Sequence, residues 1–252
     1  MEGELNMHTG TLRQILVITD GESNQGKSPV AAAAEASEFG YTVNVIGISK
    51  KDGHLSKEAI SEIEAIASAG NGMSQTVFTK QLSQTVQMVT KQAMTQTLYG
   101  LVNRQLKKIL GSDQAVEELS PEKRIEVVET VENFSETASL ELVILVDCSG
   151  SMYDKLPAVK EALVDLSISL EARMGENSYT VYVFPGKRRE IECLVDWTPD
   201  LTSIESVFPK LTSGGMTPTG PAIEVAIQAL KEKKYAYRGL LTDEGSYYGE
   251  ME

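Results

Sequence analysis

The chain has 252 residues, 41% hydrophobic and 23% charged, enough for one large or two small domains with a sizeable core. Lys and Arg number 23 against 36 Asp and Glu, a formal charge of -13, and such a mean field repels phosphate and argues against nucleic acid or an anionic membrane as partner. No apolar run approaches the ~20 residues of a spanning helix, the polar start MEGELNMHTG reads as no secretory signal, and Cys148 and Cys193 make neither a disulfide framework nor a zinc site, so a cytoplasmic protein is expected.

In chain order, Arg13-Gln14-Ile15-Leu16-Val17-Ile18 is a short apolar run ending at Thr19-Asp20-Gly21, which predicts a buried strand passing into a loop. Ala31 to Phe39 is an alanine-rich helix closed by Gly40. Tyr41 to Ile48 predicts a second buried strand and Gln75 to Phe78 a weaker third. Between them, Ser56 to Ala69 is a helix with Ser56 as N-cap and Gly70 beyond its end. Strands alternating with helices point to an α/β fold, a doubly wound, mostly parallel sheet with helices on both faces.

A long helix follows, its apolar stripe running through Leu82, Val86, Val89 and Ala93 and resuming at Met94, Leu98, Leu101 and Leu106. Between Glu64 and Asp113 there is no acid, while Lys80, Lys91, Arg104, Lys107 and Lys108 are basic; from Ser112 to Ser139 eight acids face two bases. Two solvated helical surfaces, attracted to each other as a hairpin, account for the reversal.

The second half opens with Leu140 to Val146, the strongest strand signal, followed at once by Asp147-Cys148-Ser149-Gly150-Ser151-Met152. Pro157 to Arg173 is a helix with Leu163, Leu166 and Leu170 on one face. Tyr179 to Phe184 and Glu190 to Val195, separated by Pro185-Gly186, predict a hairpin. A short helix near Leu201 to Leu211, a loop from Ser213 to Gly220 and a helix from Pro221 to Lys231 come next. Tyr237 to Leu241 is a last apolar stretch, ending in Thr242-Asp243.

Asp-x-Ser-x-Ser directly after a buried strand places one carboxylate and two hydroxyls at a strand's carboxyl end, where open α/β sheets bind ligands. These are hard oxygen donors, a set that selects Mg2+ or a similar ion over softer metals. Two further features support that reading: the loop Gly214-Gly215-Met216-Thr217-Pro218-Thr219-Gly220 before a helix, and the strand ending in Thr19-Asp20-Gly21.

Together these residues resemble the von Willebrand factor A domain (VWA) and its metal-ion-dependent adhesion site (MIDAS). The resemblance implies that Asp147, Ser149, Ser151, Thr217 and Asp20 surround one Mg2+, with Mn2+ or Ca2+ as alternatives. Met216 separates the glycine pair from Thr217 and leaves Thr219 open as the loop donor. Asp243 competes with Asp20, which is preferred because its strand continues into the elements that must neighbour it.

The order of elements departs from the family. Residues 12–110 resemble its second half and 140–252 its first, with 111–139 as an acidic helical connector. A circular permutation is the simplest account, the two halves forming one Rossmann-like domain; a homodimer by segment exchange is the other outcome. The resemblance also implies a partner protein that presents an Asp or Glu to the metal, and a last helix, here residues 82–110, that shifts when the site is filled. The expected function is a cytoplasmic, bacterial adaptor rather than an enzyme, with neither nucleic acid nor membrane as partner.

Two readings compete with it. Gly21-Glu22-Ser23-Asn24-Gln25-Gly26-Lys27-Ser28 matches the nucleotide-binding P-loop pattern after a strand, but Pro29 lacks an N–H where a phosphate would sit, and Asp20 and Glu22 bring negative charge beside it. A metal-free structural or oligomerising domain, in which the serines only cap a helix, is the other. His8 and His54 read as surface residues, Cys148 as a small buried side chain, and Trp197 as a cap on the core. No Ser/His/Asp or Cys/His set for nucleophilic catalysis is visible.

Overall fold

The computed structural model describes residues 10–49, 55–110, 119–211 and 213–243. Two strands, β1 (Thr11–Thr19) and β4 (Ser139–Asp147), are buried along almost their whole length on both faces. A strand of that kind belongs in the middle of a covered sheet. They lie there side by side and parallel, in a register that sets Ile18 opposite Val146. The first half adds β2 (Thr42–Ser49) and β3 (Ser74–Phe78) on one side; the second adds β5 (Asn177–Phe184) and β6 (Glu192–Thr198) on the other. The six strands run in the order β3-β2-β1-β4-β5-β6, all parallel except β6. Both halves of one chain therefore build one sheet, and the seam between them is its centre.

Alternate side chains of the central strands feed two cores. Leu16, Ile18, Ile46, Leu142, Ile144 and Val146 face α3 (Leu82–Leu110) and α5 (Leu156–Glu171). Ile15, Val17, Val43, Val45, Val143 and Leu145 face α1 (Pro29–Glu38), α2 (Lys57–Ala69) and α7 (Thr219–Asp243). Helix α1 buries only alanines and Pro29, which lets it lie close beside α7. Ser28 and Ser56 cap α1 and α2 by accepting from Ala31 N and Ala59 N at 3.4 and 2.9 Å; such caps are worth ~1 kcal/mol each. Helix α4 (Pro121–Thr137) buries one residue, Val131, and packs on α3.

Tyr237 to Leu241, the last apolar stretch, lies inside α7, which continues through it as one helix of 25 residues. Two expectations are corrected. The apolar stripe of α3 turns outward at Leu101, which is 43% exposed. The helix expected near Leu201 to Leu211 is reduced to α6 (Ile204–Val207) and a following 3-10 turn. Trp197 is half-buried against the α7 face, with Lys233 Nζ 3.8 Å from its ring centroid. His8, His54 and residues 111–118 of the connector lie outside the described residues.

Candidate metal centre

The carboxyl ends of β1 and β4 coincide, so Thr19 and Asp20 arrive beside Asp147. The Thr19 hydroxyl donates to Asp147 Oδ2 at 2.7 Å, and Ser149 N donates to Oδ1 at 2.7 Å. Asp147 is wholly buried, and burial pushes its carboxyl above the usual aspartate range; the two donors oppose that shift, and the nearby Asp20 charge adds to it. Beyond Asp147, Ser149 Oγ lies 3.3 Å from Ser151 Oγ, and Ser151 Oγ donates to Asp20 Oδ1 at 2.6 Å. Asp147, Ser149, Ser151 and Asp20 thus form one hydrogen-bonded row contributed by both halves of the chain.

The other oxygen of Asp20 receives the ammonium of Lys155, a residue that sequence reasoning passed over. Both side chains are buried, at 5% and 1% exposure. Lys155 stands at the head of α5, four positions after Ser151. Thr19, the donor to Asp147, was likewise read only as part of a strand end.

The glycine loop docks on the same sheet end. Gly214 N donates to Cys148 O at 3.0 Å. Thr217 is buried and its backbone is held on both sides, its N–H donating to Asn24 Oδ1 at 2.7 Å and its carbonyl accepting from Asn24 N at 3.1 Å and Ser23 Oγ at 3.2 Å. Thr219 is also buried and opens α7. Asp243 closes that helix about 36 Å along the axis from Thr219. Of the two competing aspartates, the one that meets Ser151 is Asp20.

The hydroxyl and carboxylate oxygens suit a hard cation, and the ammonium seated on Asp20 shows that a cation is accommodated against this row. Among the described residues no three carboxylate, His or Cys side chains cluster, so a metal here would depend on hydroxyl ligands.

The P-loop pattern has a different physical basis. Gly26 has φ +82° and a Cβ there would fall 2.4 Å from Pro221 Cγ. Lys27 Nζ is paired with Glu35 and Glu224, both at 2.8 Å, and Ser28 caps α1. Three of the four fixed residues, Gly26, Lys27 and Ser28, thus serve the packing of this loop on α1 and α7. Both cysteines are free thiols, Cys148 buried and Cys193 exposed. No helix among the described residues is long and apolar enough to cross a membrane.

Comparison with known proteins places these features. Family models described as von Willebrand factor type A domain match residues 142–244 and, separately, residues 2–92. The chain is 54% identical over 245 residues to "Uncharacterized protein YabS" of Bacillus subtilis (strain 168), covering 97% of this chain and 99% of that one. It is also similar to the crystal structure of an uncharacterized protein from Alicyclobacillus acidocaldarius subsp. acidocaldarius, with 40% identity, a TM-score of 0.82, and coverage of 90% of this chain and 97% of the other.

Proposed function

The chain belongs to the von Willebrand factor type A domain family, and from that premise we propose that it is a metal-ion-dependent protein-interaction module with its halves in permuted order. The observation that carries the reading is the meeting of Asp20 from the first half with Ser151 from the second, beside Asp147 and Ser149. Ser149, Ser151 and Thr217 would supply hydroxyls to Mg2+, Mn2+ or Ca2+, and Asp147 and Asp20 would balance its charge. When bound, the ion supplies an exposed positive centre for an outside carboxylate. Both Asp147 oxygens are already occupied by Thr19 and Ser149, so this aspartate holds the hydroxyl-bearing turn in shape.

The partner is a protein presenting an Asp or Glu, the setting is a cytoplasmic bacterial assembly, and the reduced cysteines agree with that compartment. The reach of Asp20 to Ser151 within one chain supports a permuted monomer over segment exchange with a second copy.

A second reading is favoured by one observation. Lys155 already neutralises Asp20, as it would in a metal-free structural domain. Titration calorimetry separates the two. Mg2+ binds the wild-type protein, and Ser151→Ala weakens it at least tenfold, if the metal reading is right. Absence of binding heat with Mg2+, Mn2+ and Ca2+ alike, in a folded wild-type protein, leaves the structural domain.

A further inference from the structure

The family reading calls for one partner carboxylate, but the rim of this site carries more positive charge than one carboxylate uses. The loop joining β5 to β6 contains Lys187, Arg188 and Arg189 in succession, all exposed, in a chain of net charge -13. Its place is fixed. Phe184, the last residue of β5, is the register partner of Asp147 and accepts a hydrogen bond from Cys148 N at 2.7 Å. Pro185 supports the glycine loop: a Cβ on Gly215 would lie 3.2 Å from Pro185 Cγ. The basic loop, the Asp147–Met152 turn and the Thr217 loop therefore share one edge of the sheet.

The loop's backbone is also held. Glu192 Oε2 accepts from Lys187 N at 2.9 Å and Arg188 N at 3.3 Å, and Gly186 N donates to Glu190 O at 3.1 Å. The Glu192 carboxylate is thus spent on amides. Among the described residues, no carboxylate forms an ion pair with the side chains of Lys187, Arg188 or Arg189. The same loop also carries one exposed acid, Glu190, directly after Arg189; Asp154 follows the turn, and Glu22 accepts from the Ser56 hydroxyl. Two large apolar side chains, Tyr153 at 69% and Met216 at 51% exposure, belong to the turn and the glycine loop.

We infer that the partner docks as an acidic peptide segment with several carboxylates, one at the metal and the others on Lys187, Arg188 and Arg189, carrying an apolar residue that rests on Met216 and Tyr153. The inference deepens the metal-dependent reading and rests on it. Charge complementarity selects a peptide over other polyanions. The protein's mean field opposes long uniform anions such as nucleic acid or an anionic bilayer, whereas screening over about 8 Å lets a short acidic segment feel the local loop.

Fluorescence anisotropy with two labelled peptides tests it, one holding a single glutamate in a Gly/Ser background and one holding a glutamate run beside a leucine. In Mg2+ the second binds about tenfold more tightly, as three screened surface pairs allow, and the advantage falls with added salt. Lys187→Ser, Arg188→Ser, Arg189→Ser in combination removes the advantage and leaves the Mg2+ calorimetry unchanged, because serine keeps the amides that Glu192 holds. Equal affinity for the two peptides, an unaffected triple variant, or stronger binding to phosphatidylserine vesicles or an oligonucleotide overturns the inference. A charge-dependent preference that persists undiminished in EDTA would instead overturn the metal reading while sparing the basic loop.

Discussion

Lys155→Met is the most informative single change. It preserves length and apolar packing at the head of α5 but withdraws the ammonium from Asp20, whose side chain is 1% exposed. Removing one partner of a buried ion pair costs about 3–5 kcal/mol, since the remaining charge is uncompensated. Asp20 keeps the Ser151 hydroxyl at 2.6 Å, so the lower end, about 3 kcal/mol, is expected in EDTA. For a protein of this size that lowers Tm by about 6–12 °C. If a divalent cation takes the place of the ammonium, Mg2+ at 100 times its Kd restores about 2.7 kcal/mol, nearly the whole loss. The variant then binds Mg2+ more tightly than wild type, whose lysine competes for Asp20. Differential scanning fluorimetry across a Mg2+ titration, with calorimetry for Kd, reads both effects. An equal Tm deficit in EDTA and in saturating Mg2+, or no deficit at all, refutes the idea that ammonium and metal share one carboxylate.

Asp147→Asn removes a buried charge that its surroundings disfavour, and the amide still accepts from Ser149 N. The metal-free variant should melt at or above the wild-type temperature and show no shift with Mg2+, both read by fluorimetry. Gly220→Ala places a Cβ 1.8 Å from Lys27 O, forcing the 21–28 loop off the start of α7. Chemical denaturation should show a loss of about 2 kcal/mol or more, within the range for overpacking. For the thiols, burial pushes Cys148 up to about 12 and also raises Cys193, but only Cys193 is exposed. The reactive form is the thiolate, so at pH 8 an alkylating reagent labels Cys193 alone. Raising the pH speeds Cys193, and Cys148 reacts only on unfolding, as peptide mass spectrometry would report.

The sheet was readable because the two innermost strands are uninterrupted apolar runs, and their ends carry Asp20 and Asp147. Tyr237 to Leu241 shows the limit of that signal. Five residues, Tyr237-Arg238-Gly239-Leu240-Leu241, are too few for a period that separates strand from helix, and here they complete the last turns of α7. The P-loop match shows a related limit: Gly26, Lys27 and Ser28 satisfy local packing, and a pattern of types carries no information about what they face. Lys155 was out of reach because lysines are ordinarily at the surface. What buries this one is a carboxylate 135 positions away in sequence, a contact that appears only once the topology is known.

The placement of β1 against β4 has a consequence for biosynthesis. Thr19 and Asp147 meet across 128 positions, so β1 leaves the ribosome with one edge bare and waits about 6–26 s for its neighbour at ordinary elongation rates. During that interval the nascent first half displays an apolar, unpaired strand, the kind of surface that seeds intermolecular pairing. Translation speed through the acidic stretch before β4 thus becomes a determinant of yield, and a chaperone able to shield β1 would matter more here than in a protein whose central strands are neighbours in sequence.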